Sequence, residues 1–179
     1  FPPPSDAPDL LGYIELGLRG GFPEAALRVA GDARRAWLES YLDQLLTRDV
    51  ETLSERRDPG RLRRYFEALA LNSAGLADSK TLYEAAGIDR KTAIAYEGLL
   101  TNLLVLDTVP AWTTNRLSRL VKTGKRYLVD PSLIGAALRV DERAILRDSD
   151  LLGRVLDTLV VGQIRPEAEL SPSRPRLHH

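Results

Sequence analysis

Seven basic side chains in this sequence of 179 residues could bind the phosphates of nucleic acid. Arginine and lysine donate to phosphate oxygens, and such contacts position a protein on nucleic acid without specifying base sequence. Five of these cations lie between residues 116 and 126 with no acid among them, and two open a predicted helix. The alternative is a solvated charged loop. The candidate nucleic-acid-binding residues are Arg116, Arg119, Lys122, Lys125 and Arg126, together with Arg90 and Lys91.

Other reactive groups are scarce, which argues against an enzyme. The chain has no cysteine and its two histidines are its last two residues, so thiolate chemistry is excluded and a histidine metal cluster is not expected. The carboxylate pairs Asp141/Glu142 and Asp148/Asp150 have no evident lysine or histidine partner, and solvated turns explain them better than a metal or acid–base site. We predict no catalytic residue, no metal and no cofactor within this chain.

The charge balance bears on the partners. Twenty-five basic and 25 acidic side chains give a formal net charge of zero, which argues against a protein that simply coats nucleic acid. No run of 18 apolar residues is present, so we expect no membrane partner and a cytoplasmic location. The chain contains no methionine and begins with Phe1, so we expect it to be a fragment of a longer protein.

A helix-turn-helix is the main architectural signal. Ser79 is a good N-cap for a short helix that ends at Gly87, and Asp89 then caps a longer helix over 89–104. The segments 105–109 and 125–129 are predicted strands. A helix-turn-helix followed by two strands is typical of a winged helix, whose second helix enters the major groove in DNA-binding proteins.

We predict a mainly α fold in which a helical bundle accompanies a winged helix-turn-helix with a small two- or three-stranded β wing. Apolar residues at helical spacing predict further helices on both sides of the wing, and Asp9 is a suitable N-cap for the first of them. The predicted organisation is a linker over 1–8, a helical segment over 9–73, the winged helix over 76–130, a helical extension over 131–165, and a disordered or truncated tail over 166–179.

The groove-facing side of the second helix is predicted to hold Arg90, Lys91, Ile94, Ala95 and Glu97. This side favours a protein partner over sequence-specific DNA. Arg90 and Lys91 in its first turn can read a base edge, but Ile94 and Ala95 in the next turn cannot do so by hydrogen bonding. An exposed isoleucine at such a position favours packing against protein.

Two blocks of sequence resemble a large prokaryotic family of predicted AAA-type ATPases that carry a C-terminal domain of unknown function. The first block is GGFPEAAL at 20–27 followed by WLESYLDQLLTRDV at 37–50. The second is PAWTTNRLSRLVKTGKRYLVDPSL at 110–133, and the resemblance spans about 20–165. The positions that fit the spaced pattern of the second block are Pro110, Trp112, Asn115, Arg119, Lys122, Lys125, Tyr127, Asp130 and Leu133.

The resemblance implies a P-loop ATPase domain on the N-terminal side, with Walker motifs, ATP and Mg²⁺. It also implies that 151–164 is the first helix of a segment with a restriction-nuclease-like fold. Family members usually carry a glutamate near the end of this helix, where this chain has Gln163. The catalytic residues of such a nuclease would lie beyond His179.

We therefore expect a non-catalytic C-terminal regulatory or interaction module of a predicted ATPase, with weak DNA backbone contact. Its expected partners are its own N-terminal ATPase domain, duplex DNA and another protein. The alternatives are a sequence-specific or structure-specific DNA-binding winged helix, and a truncated piece of an ATPase or nuclease.

Overall fold

A computed structural model describes residues 6–53, 58–114 and 123–179, with backbone alone for 48–53. Three helices come first: α1 (Leu10–Arg19), α2 (Pro23–Leu27) and α3 (Gly31–Leu53). The carboxylate of Asp9 accepts the Gly12 N–H at 2.8 Å and so caps α1, as we predict from the sequence. Gly20 ends α1 with a φ of +68°, a conformation that glycine adopts without steric cost.

Two antiparallel strands follow three central helices. These helices are α4 (Pro59–Leu71), α5 (Ser79–Ala85) and α6 (Arg90–Asn102). Strand β1 (Leu106–Val109) pairs with β2 (Lys125–Leu128), and the register places Leu106 opposite Leu128 and Val109 opposite Lys125. An isolated antiparallel bridge joins Gly75 to Arg126 on the other side of β2.

Local sequence explains the turn between α5 and α6. The α5 cap is Asp78, one residue before the predicted Ser79, and Asp89 caps α6 by accepting the Thr92 N–H at 3.0 Å. Gly87 has a φ of +66° and closes α5 with the two reverse hydrogen bonds of a Schellman motif. The structure therefore confirms two successive helices joined by a turn that contains Gly87.

Three helices complete the chain: α7 (Ser132–Leu138), α8 (Glu142–Arg147) and α9 (Ser149–Leu170). The charged stretch 141–150 therefore contains a short helix that the sequence analysis does not predict. Asp141 and Asp148 cap α8 and α9, so both acids serve helix ends. Helix α9 extends six residues beyond the predicted end at 164 and contains Pro166.

The main hydrophobic cluster contains buried residues from both ends of the helical chain, with Ile14 of α1 as its first member and Val155 of α9 as its last. Leu133 and Ile134 of α7 are fully buried, and α7 lies against α1, α3 and α4. Helix α4 contributes Leu62, Tyr65 and Phe66 to the same cluster. The helices before and after the sheet therefore share a core with the central helices.

The coarse fold prediction is confirmed: the described chain is mainly helical with a small two-stranded antiparallel sheet. Within the three described ranges, no helix has the length and apolar character needed to cross a membrane. The predicted division into segments 1–8, 9–73, 76–130, 131–165 and 166–179 stays a prediction.

Candidate interaction surface

Helix α6 presents one face to solvent. Ala93, Tyr96 and Leu100 point into the core, so the opposite side of the helix is turned outward. Ile94 is 61% exposed, and Gly98 and Thr101 are exposed at the following turns. These three positions are four and three residues apart, which places them on one helical face. We call Ile94, Gly98, Thr101 and the adjoining Leu104 the α6 stripe.

Gly98 has no structural reason to be glycine within the described part of the chain. A Cβ built at this position would meet no heavy atom within 4 Å, and its φ is not positive. Glycine in a helix interior costs about 1 kcal/mol relative to alanine. The chain therefore has a less stable helix here without gaining internal packing.

Leu104, also on the α6 stripe, has a backbone conformation that lowers the stability of the isolated chain. It has a φ of +57° and closes α6 with the same Schellman hydrogen bonds with which Gly87 closes α5. A left-handed conformation costs a residue with a side chain roughly 1–2 kcal/mol. The Leu104 side chain is 78% exposed, so burial within the chain offsets little of this cost.

Two of the predicted nucleic-acid contacts flank the stripe at its N-terminal end. Arg90 and Lys91 are exposed in the first turn of α6. Neither forms an ion pair with any residue that the structure describes. Both are therefore accessible to an anion.

Lys125 and Arg126 already have partners inside the molecule. The Lys125 Nζ lies 3.1 Å from Asp157 Oδ2 of α9, and Arg126 Nε lies 3.0 Å from Glu97 Oε1 of α6. The Arg126 side chain is only 12% exposed. The nucleic-acid contact predicted for these two residues stays a prediction, but their charges are balanced by these two carboxylates.

The Arg126 guanidinium holds β2 against the central helices. It donates to Ser79 Oγ and, at 3.4 Å, to the Ala77 carbonyl at the start of α5. The Tyr65 hydroxyl donates to the same Glu97 oxygen at 2.6 Å. Burial, together with this hydrogen bond, raises the pKa of Tyr65 well above its usual range. Glu97, predicted to face a groove, therefore pairs with Arg126 and Tyr65 inside the molecule. The members of this network are far apart in the chain, so no local pattern predicts it.

A related contact joins β2 to α9. The Tyr127 hydroxyl donates to Asp157 Oδ1 at 3.3 Å, beside the Lys125 ion pair. Burial, reinforced by the nearby Asp157 carboxylate, raises the pKa of Tyr127 to about 12. Asp157 therefore accepts hydrogen bonds from Lys125 and Tyr127, which are two positions apart on the strand.

The remaining predicted cations are Arg116, Arg119 and Lys122, which lie outside the described residues. The structure thus places Arg90 and Lys91 together on α6 and puts Lys125 and Arg126 on β2 with carboxylate partners.

Two further features are visible only in three dimensions. A cleft of about 700 Å³ lies between α1, α3, α7 and α8, with Arg139 and Glu39 paired across it at 3.9 Å. The chain end lies beside the sheet: the Trp112 N–H donates to the His179 carbonyl at 2.9 Å, and Leu177 packs near Tyr127.

In the described ranges, no three acidic or histidine side chains are grouped as metal ligands would be.

Comparison with known proteins gives a family and two relatives. The model of a domain of unknown function (DUF8612) matches residues 11–144. Uncharacterized proteins of Mycobacterium bovis and Mycobacterium tuberculosis are each 28% identical to the chain over 149 residues, which is 83% of this chain. The match covers 34% of each relative, so the chain spans about a third of their length. No solved structure matches.

Proposed function

The chain belongs to the DUF8612 family, and we propose that it is a non-catalytic protein-interaction module within a longer protein, with α6 as its docking helix. The observation that supports this most is the α6 stripe. Its exposed residues include a helix-interior glycine and a left-handed leucine, both of which cost the isolated chain stability. Departures from local preference of this kind are expected where a protein meets a partner.

We further propose that the winged helix predicted over 76–130 is present and that α4 precedes it as an additional helix of the same unit. The order of α4, the Gly75 bridge, α5, α6, β1 and β2 supports this assignment. In such a unit α6 takes the position of the recognition helix. Here its outward face offers few groups that can read a base, so we assign it to protein.

The resemblance in the two sequence blocks supports an ATPase context. We propose that the module follows a P-loop ATPase domain, which would bind ATP and Mg²⁺, and that this domain is one of its partners. In this proposal the present chain contributes regulation or assembly. Asp141 and Asp148, the acids considered for metal or acid–base chemistry, cap helices in the described residues. Walker motifs in the upstream part of the gene would support the proposal, and a gene without them would contradict this context.

Thiol labelling tests the docking helix directly, because the natural chain has no cysteine. Thr101→Cys should react with a maleimide about tenfold more slowly in the full-length protein than in the dilute isolated chain, a factor equivalent to about 1.4 kcal/mol. Gly153→Cys on α9 is the control, since Gly153 is also exposed and has no atom within 4 Å of its Cβ position. Equal rates for Thr101→Cys in the two contexts would contradict the proposal.

Duplex DNA is the second candidate partner, favoured by the exposure of Arg90 and Lys91. If these cations contact phosphates, reversing both to glutamate should weaken binding and reduce the slope of log affinity against log salt by about 2. Titration with a short duplex at two salt concentrations measures both effects. Lys80→Glu is the control, since Lys80 is exposed on the neighbouring α5. Absence of binding by the natural chain at low salt would exclude this candidate.

A further inference from the structure

We propose that the α6 stripe binds an acidic peptide segment of a partner protein. The segment inserts one apolar side chain between α5 and α6 and pairs its carboxylates with Arg90 and Lys91. The inference rests on the proposed function, because it names the partner chemistry of the proposed docking helix.

A cavity of about 340 Å³ lies between α5 and α6, at the N-terminal end of the α6 stripe. Its apolar walls are the half-buried Tyr83 of α5, and Ala93 and Ile94 of α6. Ligand pockets in proteins span about 300–1,000 Å³, so this small cavity suits an apolar side chain of a peptide better than a large cofactor. We call it the α5–α6 cavity.

Three polar side chains that line the α5–α6 cavity already have partners. Ser79 Oγ and Glu97 Oε1 both accept from the Arg126 guanidinium. Lys80 Nζ lies 3.7 Å from Glu84 Oε1. These groups therefore need no contact with a ligand.

The exposed cations of α6 set the charge of the partner. Arg90 lines the cavity, Lys91 follows it on the exposed face, and neither has an ion pair within the three described ranges. Two acids in this region, Asp78 and Asp89, cap α5 and α6 and accept backbone N–H groups at 3.3 and 3.0 Å. Each offsets the partial positive charge at the N-terminus of its own helix. Carboxylates of a partner would complement the two cations, and a basic segment would be repelled.

Beyond the cavity, the stripe can accommodate the backbone of a peptide. Gly98 lies one turn after Ile94, and a Cβ there would meet no atom within 4 Å, so another backbone can approach α6 closely. Thr101 and Asn102 are exposed at the next turn, and their side chains can hydrogen-bond to peptide N–H and carbonyl groups.

The α5–α6 cavity favours a peptide over duplex DNA. Phosphates would satisfy Arg90 and Lys91, but a sugar-phosphate backbone offers no apolar side chain for the space beside Tyr83 and Ile94. An apolar side chain flanked by carboxylates satisfies both the cavity and the cations.

Binding of a defined peptide tests the proposal. The probe is a capped pentapeptide with a central leucine between two pairs of glutamates, titrated into the natural chain while nuclear magnetic resonance follows the amide signals. We expect the signals of Tyr83, Arg90 and Ile94 to shift and to saturate at millimolar concentration. Peptides with alanine for the leucine, or with glutamine for the glutamates, should bind at least about fivefold more weakly.

Substitutions in the chain locate the site. Arg90→Ala combined with Lys91→Ala should weaken binding about tenfold, and Ile94→Ala about fivefold. Arg143→Ala on α8 and Val160→Ala on α9 are matched controls, since both side chains are exposed on helices away from α6. The controls should bind as the natural chain does, and the spectrum of each variant verifies its fold.

Two results would overturn the proposal. One is the absence of shifts at Tyr83 and Ile94 at millimolar peptide, or equal binding of the leucine and alanine peptides. The other is a short duplex that shifts Arg90 and Lys91 when the peptide shifts neither, which would identify phosphate as the ligand. In both cases, protection of Thr101→Cys in the full-length protein would still support a docking helix for a partner of different chemistry, and its absence would contradict both proposals.

Discussion

Gly20→Ala is expected to lower the free energy of unfolding by about 3 kcal/mol. Alanine would have to adopt a φ of +68° with a ψ of −173°, a region that is essentially restricted to glycine and costs about 1–3 kcal/mol. Overpacking adds about 1–3 kcal/mol. The overpacking arises because the new Cβ would lie 2.4 Å from Ser132 Oγ and 2.7 Å from Asp130 Oδ1. Asp130 accepts the Gly21 and Ser132 N–H groups, so it cannot move without breaking the hydrogen bonds that join the turn after α1 to the start of α7.

Gly87→Ala measures the cost of a positive φ at a helix end where no close contact is made. Gly87 has nearly the same φ, +66°, but a Cβ there would meet no atom within 4 Å. It should cost only the conformational part, about 1 kcal/mol. Urea denaturation followed by circular dichroism measures both values, and an equal loss for the two variants would show that the contact with Ser132 is relieved by small movements.

Removal of the Arg126 guanidinium should have the second largest effect. Arg126→Ala is expected to lower the free energy of unfolding by about 2 kcal/mol, because it leaves the Glu97 carboxylate and Ser79 hydroxyl without this donor. Lys125→Ala is the control on the adjacent position of β2. Its ion pair with Asp157 is more exposed, so its loss should cost less than about 1 kcal/mol.

A double-mutant cycle assigns the Arg126 effect to its partner. If the pair with Glu97 accounts for it, Arg126→Ala combined with Glu97→Gln should cost clearly less than the sum of the two single losses. Additive losses would instead indicate that Ser79 and Ala77 are the partners that matter.

Much of the secondary structure can be predicted from local sequence, because the caps and turns that begin and end the helices involve residues only a few positions apart. Asp9 and Asp89 each accept an N–H three residues ahead, and Gly87 supplies a left-handed turn, so the sequence alone predicts these helix ends. The two strands are also predicted to within one residue at their ends. Asp78 replaces Ser79 as a cap because adjacent polar residues offer nearly equivalent acceptors.

The site is less predictable because it depends on distant contacts. Periodicity predicts that Ile94 faces outward, and the structure agrees. It does not predict that Glu97 and Asp157 would approach Arg126 and Lys125, since no local pattern links residues 29 and 32 positions apart. The role of Gly98 also needs coordinates, because only they show that no neighbour fills the space beside it.

The flanks of the small sheet restrict how any partner can attach. On one side of β2, the Ala74 N–H donates to the Arg126 carbonyl at 2.7 Å, and beyond β1 the His179 N–H donates to the Pro110 carbonyl at 3.2 Å. Backbone groups that could recruit an added strand at these points are already satisfied, which also protects such edges against aggregation. Recognition by strand addition is therefore disfavoured at both places.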